Sequence, residues 1–288
     1  MRHVRRGDHT WTKSSDEVVK VFVFTYDRFD SITTSAMLEK EGIEHTVLCH
    51  TEEQKKSFVE GGLVKEERLQ ATGETKGLAN NRNYALDMLE EGEWALFLVD
   101  DLKTITELRN YDRAISPLPI NTENQQVYKK RFDTPITMKR FLERARGLTA
   151  VCEKNGSWLG GWCGIDNPIY RNNHYKVNVL ADGRALVVRK SELRFDTNVQ
   201  TMDDYCFAAV NLTARRHVIV DQWLVPDCAR YSAGGYGSKE QRMDQKIEEC
   251  AYMVKTYPYW VAYKPKVGWP EGSHVMIRQR GTKPKLRF

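Results

Sequence analysis

At 288 residues with 41% apolar side chains, the chain can bury one large α/β core or two small ones, which excludes a disordered or fibrous protein. Its 44 basic and 39 acidic residues leave a formal charge of +5 and a pI near 8.8, a mild attraction to polyanions that does not by itself identify a nucleic-acid partner. The basic start MRHVRRGDHTWTKSSDE lacks the apolar run of a secretion signal, no later stretch has the roughly 18 apolar residues of a membrane span, and the six cysteines form no C-x-x-C, so a cytoplasmic protein with reduced core cysteines and no membrane partner is expected.

The first expected element is a strand over residues 18–25 (VVKVFVFT), apolar on both faces and halted at Tyr26-Asp27-Arg28. Residues 31–40 read as a helix closed by Gly42, and 44–49 as the next strand, completing a βαβ unit. A helix over 51–60 ends at Gly61-Gly62, and a short strand follows at 68–71. Lys76-Gly77 then opens a helix with Leu78, Ala85 and Leu89 on one face, before the strand WALFLV at 94–99. This alternation predicts a parallel sheet with helices on both faces. Past Asp101 the pattern loosens, and 113–133 reads as a mobile loop. Thr134-Pro135 is placed to start a helix with Met138, Phe141, Leu142, Ala145 and Leu148 on one face. Residues 175–180 and 184–189 are expected to pair as a hairpin around Ala181-Asp182-Gly183. A helix over 202–212, a strand over 217–225, a glycine-rich stretch at 232–238 and a helix from 239 to 254 complete the reading.

Ligands of open parallel sheets bind beyond the carboxyl ends of the strands. Asp27 and Arg28 fall at one such end and Asp100-Asp101 at another. Two adjacent carboxylates ending a buried strand repel each other unless a cation or hydrogen-bond donors compensate. A Mg²⁺ or Mn²⁺ ion bridging them to a diphosphate meets that need, because hard cations prefer carboxylate and phosphate oxygens. The plainer reading has one aspartate cap the next turn while the other stays solvated. The helix start KGLANNRN offers free N–H groups, with Lys76 and Arg82 adding charge toward a phosphate or hydrogen bonds toward a base; the alternative is an ordinary surface helix. Neither a Walker loop nor G-x-G-x-x-G is present.

Taken in order, FTYDR, KGLANNRNYAL, ALFLVDDL and TMDDYCF resemble the donor-binding and catalytic segments of inverting GT-A glycosyltransferases, over roughly residues 18–240. The resemblance implies a Rossmann-like α/β fold, a mostly parallel central sheet flanked by helices, with a small antiparallel subregion on the acceptor side. It divides the chain into a basic arm (1–17), one glycosyltransferase domain (18–255, donor half 18–112 and acceptor half 134–255) and a basic aromatic extension (256–288). It implies a nucleotide-sugar held by Thr25, Tyr26, Asp27, Arg28, Lys76, Gly77, Arg82 and Asn83, with Asp101 on a divalent metal and Asp100 shared between the metal and the ribose or sugar. VDDL stands here in place of a strict D-x-D. The downstream pair Asp203-Asp204 is implied to supply the base that an acceptor alcohol needs, with Asp204 acting and Asp203 its partner; a helix cap and first-turn acid are the alternative.

Gly160-Gly161-Trp162, with Asp166 following, resembles the segment beside the donor sugar, so Trp162 either stacks on sugar or base or is a core residue. The stretch 232–238 is a lid over the diphosphate, with Tyr231 or Tyr236 reaching the ligand, or a plain turn. His274 falls where some relatives supply a third metal ligand, and a lone histidine is otherwise ordinary surface or core.

More narrowly, the compact length, TMDDYCFAA, ARYSAGGYGS and the basic tail look like the phage-type TET-associated glycosyltransferases, which act on hydroxymethylated pyrimidines in DNA. Lys129-Lys130-Arg131, the helix face Lys139, Arg140, Arg144 and Arg146, Arg215-Arg216 and the tail 278–288 suit phosphates, while Tyr257, Tyr259, Trp260, Tyr263 and Trp269 suit an unpaired base. The expected activity is metal-dependent, inverting transfer of a hexose or acetylated hexosamine from a UDP-sugar to a hydroxymethyl pyrimidine. A protein or glycan acceptor, a catalytically silent DNA-binding module and a nucleotidyltransferase are the alternatives. The last lacks its glycine- and arginine-rich signature after the first strand.

Overall fold

The computed structural model describes residues 19–25, 31–73, 77–108, 133–164, 175–228, 239–279 and 286. Strands β1 (Lys20–Phe24), β2 (Thr46–Cys49), β3 (Leu69–Ala71) and β4 (Trp94–Val99) run parallel, linked in turn by helices α1 (Thr33–Lys40), α2 (Glu52–Glu60) and α3 (Leu78–Asp87). β1 sends Val21 and Val23 to one face and Phe22 and Phe24 to the other, all buried, as a sheet covered on both sides requires. α2 starts where the sequence predicts, with the Thr51 hydroxyl accepting from Gln54 N and Glu52 and Glu53 in the first turn.

The chain continues through β5 (Leu102–Leu108), β6 (Asp133–Pro135), α4 (Met138–Lys154), β7 (Leu159–Trp162), β8 (Tyr175–Val177), β9 (Ala185–Arg189), α5 (Asp203–Arg215), β10 (Ile219–Asp221), β11 (Leu224–Cys228), α6 (Lys239–Thr256), β12 (Val261–Tyr263) and β13 (Val275–Ile277). The central sheet has the order β3-β2-β1-β4-β9-β7-β10-β8. β9 runs antiparallel between β4 and β7, and β7 and β10 return parallel to each other. The result is a mixed α/β fold with a large, mostly parallel sheet between helices, of Rossmann-like character. Helices α1, α2 and α4 cover the valine face of β1, and α3, α5 and α6 cover its phenylalanine face. Two smaller sheets, β11-β5-β6 and β12-β13, lie beside it. No helix among the described residues is long and apolar enough to cross a membrane.

Several local expectations are corrected. Residues 175–189 do not form a hairpin: β9 inserts between β4 and β7 while β8 pairs with β10. Ala185 to Val188 are buried on both faces, the signature of a central strand, and that burial outweighs the turn propensity of Asp182-Gly183. Thr134-Pro135 belongs to β6 rather than to a helix start; α4 begins after Thr137, whose hydroxyl accepts from Arg140 N. The run 217–225 splits at Gln222-Trp223 into β10 and β11, which join different sheets. β5 was hidden because its apolar residues, Leu102, Ile105 and Leu108, stand three apart rather than in the period-two alternation of a strand. The segment after residue 256, read as an extension, returns to the main core through Trp260, Val261, Val275 and Ile277.

β7 fits through its glycines. A Cβ on Gly160 would stand 2.8 Å from both Cys152 Sγ and Val187 Cγ2, and one on Gly161 would stand 2.8 Å from Ala181 Cβ. α4 and the neighbouring strand can therefore close on β7 only while it lacks side chains there.

Candidate functional site

β1 is flanked by β2 on one side and β4 on the other, so the order of connection reverses beside it. The carboxyl ends of β1 and β4 border the crevice that such a reversal leaves. Thr25 follows β1; it is buried, and among the described residues its hydroxyl has no hydrogen-bond partner, a buried polar group suited to a ligand. Tyr26, Asp27, Arg28 and Lys76 lie outside the described residues.

Asp100 and Asp101 form the turn after β4, Asp100 buried and Asp101 half-buried. The start of α1 sews this turn in place. Thr34 N donates to Asp100 O at 3.1 Å, which satisfies a helix-terminal N–H that no side chain caps. The Thr34 hydroxyl donates to Val99 O at 2.6 Å and accepts from Leu102 N at 3.0 Å. The Thr33 hydroxyl donates to Leu102 O at 2.8 Å. The backbone under the acidic pair is thus fixed before any ligand arrives.

The second acidic pair reaches the same edge. Val99 N donates to Arg184 O at 3.1 Å, so the turn Asp182-Gly183-Arg184 abuts the end of β4. Gly183 N in turn donates to Asp204 Oδ2 at 3.0 Å. Asp182 N bonds Trp162 O at the end of β7, and its carboxylate accepts from Arg184 Nε at 2.7 Å. Three aspartates, at 182, 203 and 204, therefore gather where α5 begins, close to the Asp100-Asp101 turn.

The two neighbours on α5 differ in environment. Asp203 is buried and accepts from Arg82 Nη1 at 2.5 Å; burial raises its pKa although Arg82 pulls the other way. Asp204 accepts from Gly183 N and, at 2.8 Å, from Tyr205 N, and its pKa is raised to about 7 by burial first and by the charges of Asp203 and Asp182 next. A carboxylate that titrates near neutrality is suited to taking a proton from an alcohol. Glu249 of α6 supports the approach to α5, accepting from Gln200 N at 2.7 Å and from the Thr201 hydroxyl at 2.6 Å.

Other expected site residues sit elsewhere. Arg82 is buried, donates to Gly183 O at 2.7 Å, and lies over Phe24 and Phe195 at 5.7 and 5.3 Å. Its guanidinium holds α3 to α5, which corrects the expectation that it reaches a phosphate or a base. Asn83 clamps the Phe195 backbone, donating to its O at 2.9 Å and accepting from its N at 2.8 Å, and is likewise committed to the fold. Gly77 starts α3 at φ 142 against Gln200, a conformation open to glycine alone. Trp162 is fully buried against Phe141, with ring centroids 4.5 Å apart, so the core reading holds and it is no sugar platform. Arg144, expected on a DNA-facing surface, pairs with buried Asp221 at 3.6 Å beneath Trp223. Asp166, Tyr231, Tyr236 and Lys129-Lys130-Arg131 lie outside the described residues.

His274 is not brought to the acidic pair. Its Nε2 accepts from Lys246 at 3.3 Å and its Nδ1 faces the Ser273 hydroxyl at 2.9 Å, so the lone pair a metal would use is taken. Among the described residues no three His, Cys, Asp or Glu side chains cluster as a metal site. Asp100 and Asp101 still fit a hard cation, since Mg²⁺ and similar ions are commonly held by one or two carboxylates plus water and phosphate oxygens.

Sequence reading missed Thr33, Thr34, Asp182 and Glu249. The A-D-G-R setting of Asp182 reads as a turn, and nothing near Glu249 marks it as a cap for a loop 48 residues earlier. No protein-family model matches the chain, and no curated protein matches its sequence at a significant level.

Proposed function

We propose that the chain is a glycosyltransferase of the GT-A kind, transferring a sugar from a nucleotide-diphosphate donor, UDP-linked in our reading, to the hydroxyl of a hydroxymethylated pyrimidine in DNA. The observation that carries this reading is the meeting, at one edge of the sheet, of a rigidly held acidic turn and a half-buried aspartate whose pKa lies near 7. Asp101 with Asp100 would hold a Mn²⁺ or Mg²⁺ ion. When bound, the cation offsets the charge that builds on the leaving diphosphate. Thr25, at the crevice between β1 and β4, is placed to offer its hydroxyl to the donor nucleotide. Asp204 takes the acceptor hydroxyl proton as the acceptor oxygen bonds to the anomeric carbon and the bond to the diphosphate breaks, the electron pair leaving with the diphosphate. One displacement of this kind inverts the anomeric centre. Asp203 acts through position, its charge held by Arg82 and adding to the field on Asp204.

The test is incubation of the full chain with radiolabelled UDP-sugar and, in parallel, hydroxymethylated DNA, undecorated protein or a glycan. Label is expected in the DNA, lost on chelation and reduced at least about a hundredfold in Asp101→Ala. Full, chelator-insensitive transfer by that variant would remove the metal role. Label in protein or glycan alone would move the acceptor. Salt-sensitive DNA binding with no donor turnover would make the chain a binding module.

A further inference from the structure

The C-terminal hairpin carries a basic and aromatic surface that the proposed chemistry leaves unused. β12 and β13 hold loop 264–274 against α5 and α6, and the loop is braced by its own hydrogen bonds: Lys264 N to His274 O at 2.9 Å, Trp269 N to Lys266 O at 3.1 Å and the Ser273 hydroxyl to Pro270 O at 2.6 Å. Trp269 is its centre. The ammonium groups of Lys266 and Lys246 lie 4.2 and 5.1 Å from its ring centroid, and the His274 ring meets it edge-on at 4.7 Å. Lys246, Lys264 and Lys266 together act on His274, which burial and their charges hold neutral, its pKa lowered to about 4. None of the three lysines pairs with a carboxylate among the described residues; Glu271, the loop's one acid, is exposed. Lys246 is also near enough to Asp204 for their charges to interact.

Gathered ammonium groups repel one another, and an anion relieves that repulsion. One phosphate would need only one or two of them. Here Lys264 and Lys266 are exposed, and the ring of Tyr263, at 47% of full exposure, adjoins them at the end of β12. Clustered cations beside an exposed aromatic ring match a chain that repeats phosphate and base.

We propose that loop 264–274, with Lys246 of α6 and the ring of Tyr263, is the docking surface for a single-stranded stretch of nucleic acid beside Asp204. The assignment rests on the acceptor reading above and names the residues that hold that acceptor. Phosphates meet Lys246, Lys264 and Lys266, and an unpaired base stacks on Tyr263. Trp269 and neutral His274 keep the lysines in place without drawing off their charge.

The experiment measures binding of a labelled single-stranded oligodeoxynucleotide of about a dozen residues to the full chain, without donor, across a salt series. Lys264→Gln/Lys266→Gln is expected to weaken binding roughly tenfold and to flatten the log–log salt slope by about 1.4, at about 0.7 per phosphate contact in single strands. Lys264→Arg/Lys266→Arg keeps both. Tyr263→Ala weakens binding roughly tenfold with an unchanged slope, as lost stacking requires. Unchanged affinity and slope in the double glutamine variant would overturn the proposal. So would intact oligonucleotide binding with a raised KM for nucleotide-sugar, which would hand the cluster to the donor diphosphate. Binding that depends on these lysines in a chain that transfers no sugar to DNA supports the surface and sinks the activity instead.

Discussion

Asp203 and Asp204 are chemically the same side chain one position apart, and their surroundings divide them. Asp203 faces inward to Arg82 at 2.5 Å, and Asp204 lies at the edge with two backbone N–H donors. Burial and two neighbouring negative charges raise Asp204 to about 7. In the proposed role of base it would work deprotonated, so kcat/KM should climb with unit slope below about pH 7 and level off above it. Asp204→Asn should lose that limb together with about 10²- to 10⁴-fold in rate, which a pH–rate series on both proteins checks. The same shift acts on stability with the opposite sense. A carboxyl whose pKa is higher folded than unfolded binds more protons when folded, so its contribution falls as pH rises from about 4 to about 7. The stability of the wild type relative to Asp204→Asn, followed by urea unfolding, should decline across that window.

At the scale of elements, the acidic turn after β4 depends on a helix that precedes it by more than sixty residues in sequence. The start of α1 lacks a side-chain cap, and the turn carbonyl of Asp100 supplies what the helix lacks. Thr34 is the hinge of the arrangement, donating to Val99 O and accepting from Leu102 N. Thr34→Val removes both bonds and leaves two backbone groups short of partners, at a cost of about 1–3 kcal/mol. The expected readout is a loss of metal-dependent transfer larger than the loss in thermal stability, with Thr34→Ser restoring both. Equal loss of activity and stability would reduce the pair to ordinary packing. Neither threonine stood out in the sequence, because a threonine near a helix start has many uses and its partner turn is remote.

At the scale of the whole molecule, one buried ion pair joins the two halves of the fold. Arg82 on α3 and Asp203 on α5 are 121 residues apart, and the guanidinium sits over Phe24 and Phe195, with Phe195 stacked on Phe207 at 3.7 Å. Arg82→Met should cost about 3–5 kcal/mol in urea unfolding, since it strands a buried carboxylate, while Arg82→Met/Asp203→Asn should recover most of that loss. The parallel half of the sheet was legible because β1 to β4 are short, strongly apolar runs between helices with clear stops; their local chemistry and their final place agree. The carboxylates at strand ends were legible for the same reason, since strand order tells where ligands bind. Sequence alone thus determined the α/β class, the first four strands in order, the helix starting at Gly77 and the acidic character of the edge. Only the tertiary structure decided that 175–189 is no hairpin, that Trp162 and Arg82 are buried and Asn83 and Arg144 committed to contacts within the fold, that His274 answers to lysines and that Asp182 stands beside Asp204. The physical reason is range. Periodicity and turn propensity act over a few residues, whereas burial, charge pairing and a shifted pKa arise between groups 20 to 120 positions apart, and only folding brings those together.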